Sequence, residues 1–216
     1  MHDPTVRSGE TLVRRSAVAL TAVLLALTAA GCTGDDGPRS TPAPPTPSEG
    51  STATLEPRPA PVRVRVTRVA GRMRPKDRDV LADNVGKVVT AYFEDAFLGG
   101  DQPRTGFRDG FATFTPDAAR SARRQQRLTT NAALGPTAEA VVPRRQRAFL
   151  SVLAPKGVAT GVTARVDLAY LVQRGEGADR LVTVRGRLLL TRVDSGGWKI
   201  FGYDLTRGTR AAGEGA

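Results

Sequence analysis

The sequence predicts an α+β fold in which N-terminal helices pack on one face of an antiparallel sheet. Apolar residues recur at helical spacing from Pro75 to about Leu98, and a second helix is predicted after Pro116. After Gly135-Pro136 the apolar period changes from 3.6 residues to 2, and four strand-like runs follow. Because the helices come first and the strands afterwards, we expect two layers around one core.

The first 61 residues are predicted to lie outside this fold, in two segments of contrasting composition. Residues 1–31 have the three parts of an export signal: early arginines, an uncharged apolar run and small residues at the end. Residues 32–61 hold Cys32 and a linker rich in Pro, Ser and Thr, in which Leu55 is the only large aliphatic residue. Such a linker buries too little apolar surface to offset its ordering entropy, so we expect a disordered tether.

The segment that ends the apolar run carries a lipidation motif. Leu27-Thr28-Ala29-Ala30-Gly31-Cys32 resembles the lipobox of bacterial lipoproteins, and the arginine-rich composition is similar to that of actinobacterial proteins. The resemblance implies that the Cys32 thiol receives a diacylglyceryl group, and two acyl chains anchor a protein stably. The run Ala17–Ala30 has 14 residues, whereas a spanning helix needs about 20. We therefore expect a lipid anchor on the extracytoplasmic face of the cell membrane; the alternative is a signal cut elsewhere, with Cys32 incidental.

Residues 62–207 are predicted to form the globular domain, and residues 208–216 a flexible tail. The domain carries 26 Lys and Arg against 14 Asp and Glu, so the positive charge of the chain belongs to it. The single histidine, His2, lies in the predicted signal, and Cys32 is the single cysteine. The mature chain therefore lacks an imidazole base and a Cys/His zinc site, and we expect no enzymatic activity, cofactor or metal.

The first two elements of the domain follow from local patterns. Val62–Val66 alternates apolar and charged residues, which is typical of a half-buried strand, and the inserted charges suit an edge strand. The first helix ends at Gly99-Gly100. Its predicted core-facing stripe consists of Leu81, Val85, Val88, Tyr92 and Ala96, widened by Val89, Phe93 and Phe97.

A short segment and a second helix follow. The segment is broken by glycines and is predicted to insert three aromatic rings into the core: Phe107, Phe111 and Phe114. Thr115-Pro116 places an N-cap residue before a proline at the first helical position, and this helix is predicted to reach about Leu128.

The C-terminal half is predicted to be a meander of four strands. Hairpin connections are expected at Gly175-Glu176-Gly177 and at Asp194-Ser195-Gly196-Gly197, because both are turn-forming runs between strand-like segments. The strands are predicted at about 138–153, 160–174, 180–193 and 198–206.

This order of elements resembles the NTF2-like, ketosteroid-isomerase-like cone fold over residues 76–206. That family has a long N-terminal helix, one or two short helices and a strongly curved sheet, and Gly196-Gly197-Trp198-Lys199-Ile200 is similar to its last hairpin. The resemblance implies a pocket between the concave sheet and the helices, and a homodimer through the open sheet face.

Two kinds of residue are candidates for a pocket in such a cone. A set of aromatic and acidic side chains would line it, and the alternative for the aromatic ones is an ordinary place in the core: Tyr92, Phe107, Phe111, Tyr170, Trp198 and Asp204. Asp204 has the strand parity of Trp198 and Ile200 and is therefore expected to point inward. Asp167 has the opposite parity to Val166 and Leu168 and is expected to be a surface carboxylate.

Two arginine clusters are candidates for contact with anions. The guanidinium fork suits phosphate and carboxylate, and the alternative is a solvated face in an arginine-biased protein. Nucleic acid is not expected, because the chain is predicted to be exported and aromatic platforms between the arginines are missing. The expected partners are anionic polymers, phospholipid headgroups or a protein of the envelope. The clusters are Arg120, Arg123, Arg124 and Arg127 on the second helix, and Arg144, Arg145 and Arg147 after Pro143.

The sequence thus predicts a membrane-anchored extracytoplasmic lipoprotein that presents a non-catalytic binding or assembly module. One alternative is a carrier of lipid or another small hydrophobic ligand, which requires an open apolar pocket. A second is an isomerase-like enzyme with Asp204 or Asp167 as the base, which requires an inward-facing carboxylate beside a tyrosine. An interior filled by side chains favours the binding module.

Overall fold

The computed structural model describes residues 62–194 and 196–213 and has the predicted α+β architecture. The predicted signal peptide, Cys32 and the linker to residue 61 lie outside the described residues. In chain order the strands and α-helices are β1 Arg63–Gly71, α1 Pro75–Phe93, α2 Pro116–Arg124, α3 Gln126–Thr129, β2 Ala140–Ala154, β3 Gly161–Gln173, β4 Arg180–Arg192 and β5 Trp198–Ala211. A π-helical turn at Glu94–Leu98 and 3₁₀ turns at Asp109–Phe111, Gly135–Thr137 and Pro155–Gly157 complete the set.

The five strands form one sheet in the order β1-β2-β3-β4-β5. Strands β2 to β5 are an antiparallel meander, as predicted. The expectation of a wholly antiparallel sheet is wrong for β1, which pairs with β2 in parallel. The helices between β1 and β2 carry the chain back to the end of the sheet where β1 begins, and this crossover allows parallel pairing. β1 lies at an edge of the sheet, as its charged residues indicated.

Helix α1 packs its apolar stripe on the inner face of the sheet. Val85, Val89 and Tyr92 are completely buried. The helix starts at Pro75, and its continuation through the π-helical turn ends at Gly99, where the sequence predicted the end. Each fully buried side chain of this size contributes about 1.5–3 kcal/mol, so the stripe fixes α1 on the sheet.

The predicted second helix is two helices. Gln125 leaves helical geometry, with φ −109° and ψ 34°, and separates α2 from α3. Thr115 occupies the N-cap position of α2 with extended backbone, but its side chain makes no capping hydrogen bond. Its backbone N–H instead donates to the carbonyl of Ile200 at 2.8 Å, so the start of α2 is bound to β5.

Strand β5 contains a bulge that changes which residues face inward. Leu190 pairs with Ile200 and Leu189 pairs with Gly202, so Phe201 is an extra residue. Inward-facing positions are even-numbered before the bulge and odd-numbered after it, and Leu205 is buried. The strand also extends to Ala211, so residues 208–211, assigned to the flexible tail, are paired with β4.

The described core lies between the helices and the inner face of the sheet. It receives side chains from all five strands and from the helices between Arg63 and Ala211. At its centre the ring of Tyr92 meets Phe114 edge-on at 5.1 Å and Phe97 at 5.5 Å between centroids. This part of the chain therefore carries a complete hydrophobic core of its own.

Gly186 allows β5 to approach β4 closely. It has φ +141°, and an added Cβ would lie 2.0 Å from the carbonyl oxygen of Asp204. We expect Gly186→Ala to lower the free energy of unfolding by about 2 kcal/mol or more, because it adds a clash to backbone strain. Denaturant titration measures the difference.

The matched control is Gly197→Ala in the β4–β5 connection, where an added Cβ meets nothing within 4 Å. Its unfolding free energy should stay within about 0.5 kcal/mol of the parent chain. Equal stability of the two variants would contradict the packing described for Gly186.

Candidate functional site

The aromatic residues predicted to line a pocket all lie in the core. Tyr92 and Tyr170 have no exposed surface, and the ring of Tyr170 lies 6.0 Å from that of Phe97. The others are buried as well: Phe107, Phe111 and Trp198. Side chains therefore occupy the interior around Tyr92, Phe111 and Tyr170. Trp198 lies at its edge, where it lines an open cavity of about 320 Å³ together with charged residues such as Asp77 and Arg192.

Two tyrosine hydroxyls bind the end of α3, one from α1 and one from β3. Tyr92 donates to the carbonyl of Thr129 at 2.9 Å, and Tyr170 donates to Oδ1 of Asn131 at 3.0 Å. Burial raises the pKa of both hydroxyls well above the usual range of tyrosine, so they are neutral donors. Arg207 of β5 donates to the same Asn131 oxygen at 3.1 Å and to the carbonyl of Thr130 at 2.5 Å. Tyr92 thus holds the end of α3 against α1, and Tyr170 and Arg207 hold it against β3 and β5.

The prediction that Asp204 points inward is wrong. The bulge at Phe201 reverses strand parity, so that Asp204 is exposed on the outer face of the sheet. Its Oδ2 pairs with Nη2 of Arg187 at 2.6 Å. The inward positions on either side of it are Tyr203 and Leu205.

Asp167 lies on the outer face, as its parity predicted. Its Oδ1 accepts hydrogen bonds from Nη2 of Arg145 and from Nε of Arg185, both at 3.1 Å. Its Oδ2 lies 2.7 Å from Nε of Arg145 in an ion pair. One carboxylate on β3 is thus held by arginines from both neighbouring strands, β2 and β4.

The arginines predicted on the second helix are exposed on α2 and α3: Arg120, Arg123, Arg124 and Arg127. Arg120 forms an ion pair with Asp117 one turn earlier. The guanidinium of Arg123 lies 5.5 Å from the centre of the Phe111 ring. These helices pack on the inner side of the sheet, so their arginines belong to the helical face of the domain.

The second predicted arginine cluster lies inside a strand and does not begin after a strand has ended at Pro143. Pro143 lies inside β2, where the pairing with β3 shifts by one residue between Pro143 and Arg145. Arg144 is exposed at this bulge, whereas Arg145 and Arg147 lie on the outer face of the sheet. The structure therefore separates Arg145 and Arg147 from the helical arginines and places them beside arginines of other strands.

Strand pairing assembles two adjacent rows of side chains across this outer face. The first row runs from β1 to β4 through Arg63, Arg147, Asp167 and Arg185. The second runs from β1 to β5 through Arg65, Phe149, Arg165, Arg187 and Asp204. Neighbouring strands lie about 4.8 Å apart, so each row is a close-spaced series of charges.

We call this surface the basic sheet face. Strands β1 to β4 contribute eight arginines to it: Arg63, Arg65, Arg68, Arg145, Arg147, Arg165, Arg185 and Arg187. Against them stand the carboxylates of Asp167 and Asp204. A groove of about 490 Å³ lies on this face, with Phe149, Arg165, Arg185 and Arg187 among its walls. The guanidinium of Arg165 lies 5.5 Å from the centre of the Phe149 ring.

Sequence reasoning found two members of this face, Arg145 and Arg147, and missed the other six. The signal was the alternation of arginine with apolar residues in β1, β3 and β4, which indicates outward-facing positions. It could not show which strands are neighbours or which residues lie opposite one another.

Comparisons of the chain with protein-family models, with curated proteins and with solved structures found no match. Within residues 62–194 and 196–213, no helix is both long and apolar enough to cross a bilayer. The same residues hold no group of three or more His, Cys, Asp and Glu side chains arranged for a metal ion.

Two tyrosines provide a matched test of the interior contacts. We expect Tyr92→Phe to lower the free energy of unfolding by about 1–3 kcal/mol, because the buried carbonyl of Thr129 loses its donor. Tyr203→Phe should leave stability unchanged or raise it slightly, because the buried Tyr203 hydroxyl has no hydrogen-bond partner within the described part of the chain. Denaturant titration of both variants is the measurement, and equal losses would exclude the hydrogen bond assigned to Tyr92.

Proposed function

We propose that this chain is a lipid-anchored extracytoplasmic protein that presents an NTF2-like domain as a non-catalytic binding or assembly module for anionic envelope components. The observation that carries the proposal is the contrast between the two sides of the sheet. The inner side is filled by core side chains, whereas the outer side displays eight arginines from β1 to β4 alone. Such a domain would bind a ligand on its outer surface, because its interior is filled.

The order of elements supports the NTF2-like assignment. A long first helix, two short helices and an antiparallel meander follow one another, as in that family. The family resemblance also implies a dimer through the open sheet face. Two copies of the basic sheet face would bring like charges together, so an anionic partner fits this face better than a second copy.

The two alternative functions receive less support from the same residues. A hydrophobic carrier needs an open pocket, but Tyr92, Phe111 and Tyr170 are buried against other side chains. An isomerase needs an inward carboxylate beside a tyrosine, but Asp204 and Asp167 are both held by arginines on the outer face.

The lipid anchor rests on the residues that end at Cys32. With acylation there, residues 33–61 would form the tether between bilayer and domain. Proline-rich linkers extend by about 3.1 Å per residue, so this tether could place the domain anywhere from the membrane surface to several nanometres above it.

Intact mass and membrane fractionation of the native protein test the anchor. We expect a mature chain that begins at Cys32 and carries a diacylglyceryl group, found with the membranes because two acyl chains hold it there. In Cys32→Ala this mass should be lost, together with the membrane association that resists a high-salt wash.

Thr33→Ala is the matched control, since it changes the next residue and keeps the thiol, and it should behave like the parent chain. An unmodified parent chain in the soluble fraction, or a Cys32→Ala chain that is still processed and stays on the membranes after a high-salt wash, would contradict the lipoprotein assignment.

A further inference from the structure

We infer that the basic sheet face docks on the anionic phospholipid surface of the membrane that holds the anchor, with the outer residues of β1–β4 against the headgroups. The choice of that membrane rests on the proposed function. The surface itself is argued from the side chains on the sheet.

The face has charge available for an external anion. Asp167 forms ion pairs with Arg145 and Arg185, and Asp204 forms one with Arg187. In the described part of the chain, no carboxylate lies within ion-pair distance of the remaining five arginines: Arg63, Arg65, Arg68, Arg147 and Arg165. A guanidinium presents two parallel N–H donors to a phosphate, so these groups suit phospholipid headgroups.

The spacing of these arginines suits a surface of several phosphates. From β1 to β4 each row crosses three inter-strand steps, about 15 Å in all, and the two rows lie about 7 Å apart along the strands. One small anion would engage only part of such an area. An extended layer of anionic groups can engage both rows at once.

Apolar side chains on the same face favour a bilayer over a soluble polyanion. Leu153 follows Arg147 and Phe149 on the outer side of β2, and 55% of its surface is exposed. Phe149 is half-buried beneath the guanidinium of Arg165. Basic and apolar side chains on one face are typical of surfaces that lie in the interfacial region of a membrane.

The entry of the tether into the domain fits this orientation. The linker leads directly into β1. The first two outward-facing residues of β1, Arg63 and Arg65, begin the two rows. A lipid attached to Cys32 would hold this edge strand within reach of the bilayer. Docking would then be intramolecular, at an effective concentration set by the length and stiffness of the linker.

Vesicle binding by the unlipidated chain tests the face directly. The chain from residue 33 onward contains every described element and the complete described core. We expect it to bind vesicles of phosphatidylglycerol and phosphatidylcholine, to bind phosphatidylcholine vesicles much more weakly, and to dissociate as salt is raised. Co-sedimentation gives the partition coefficient.

Two triple variants distinguish binding by the basic sheet face from an effect of net charge alone. Arg65→Gln, Arg147→Gln and Arg165→Gln together should lower the partition coefficient roughly 100-fold, about fivefold for each arginine near an anionic surface. The matched control carries Arg123→Gln, Arg124→Gln and Arg127→Gln on the helices, with the same change in net charge. It should lose much less, and thermal unfolding of both variants shows that they are folded.

Several outcomes would overturn the inference. Equal losses of the partition coefficient in the two variants would mean that net charge alone accounts for binding. A larger loss in the helical variant would assign binding to the helices. Absence of vesicle binding together with tight binding of inorganic polyphosphate would assign the face to a soluble polyanion. Because the tested chain has no lipid, these results are independent of whether Cys32 is acylated.

Discussion

The pairing register of the sheet is the constraint on which both surfaces of this domain depend. Successive residues of a strand face opposite sides, so a shift of one residue exchanges the two faces. The register of β2, β3 and β4 places Leu150, Val166 and Val184 inside and the arginines outside. The bulge at Phe201 then turns Leu205 inward and Asp204 outward on β5. One inserted residue thus converts a candidate catalytic carboxylate into the partner of Arg187.

The filled interior and the basic exterior are connected physically. Tyr92, Tyr170 and their aromatic neighbours fill the space between α1 and the sheet. The Tyr92 hydroxyl donates to the carbonyl of Thr129, and the Tyr170 hydroxyl donates to Oδ1 of Asn131. Aromatic packing of this kind supplies large buried area and a fixed orientation. The interior therefore contributes to stability, and the outer face of the sheet is free to carry binding groups that add little to it.

Patterns of local origin were predictable from the sequence, and patterns set by distant pairing were not. The first helix, its end at Gly99 and the meander follow from apolar period and turn residues. The parallel pairing of β1 joins strands that are far apart in sequence, and no local pattern encodes it. The Phe201 bulge likewise depends on the pairing of β5 with β4, and no glycine or proline marks the break at Gln125 in residues 117–129. For the same reason the helical arginines were predicted as a cluster, whereas the basic sheet face was found only when its strands were paired.

Repulsion among the arginines of the basic sheet face lowers the stability of the sheet, which argues that the face is more than a result of arginine-rich composition. Arg63 lies beside Arg147, and Arg165 lies opposite Arg187, so like charges are direct neighbours across the sheet. Such pairs destabilise a sheet, while opposite charges at the same positions would stabilise it. Asp167 relieves part of this repulsion by holding Arg145 and Arg185, and Asp204 does the same for Arg187, whereas Arg63 and Arg147 stay exposed beside one another. A partner that supplies negative charge removes the remaining repulsion, so binding and the relief of this electrostatic strain are the same event.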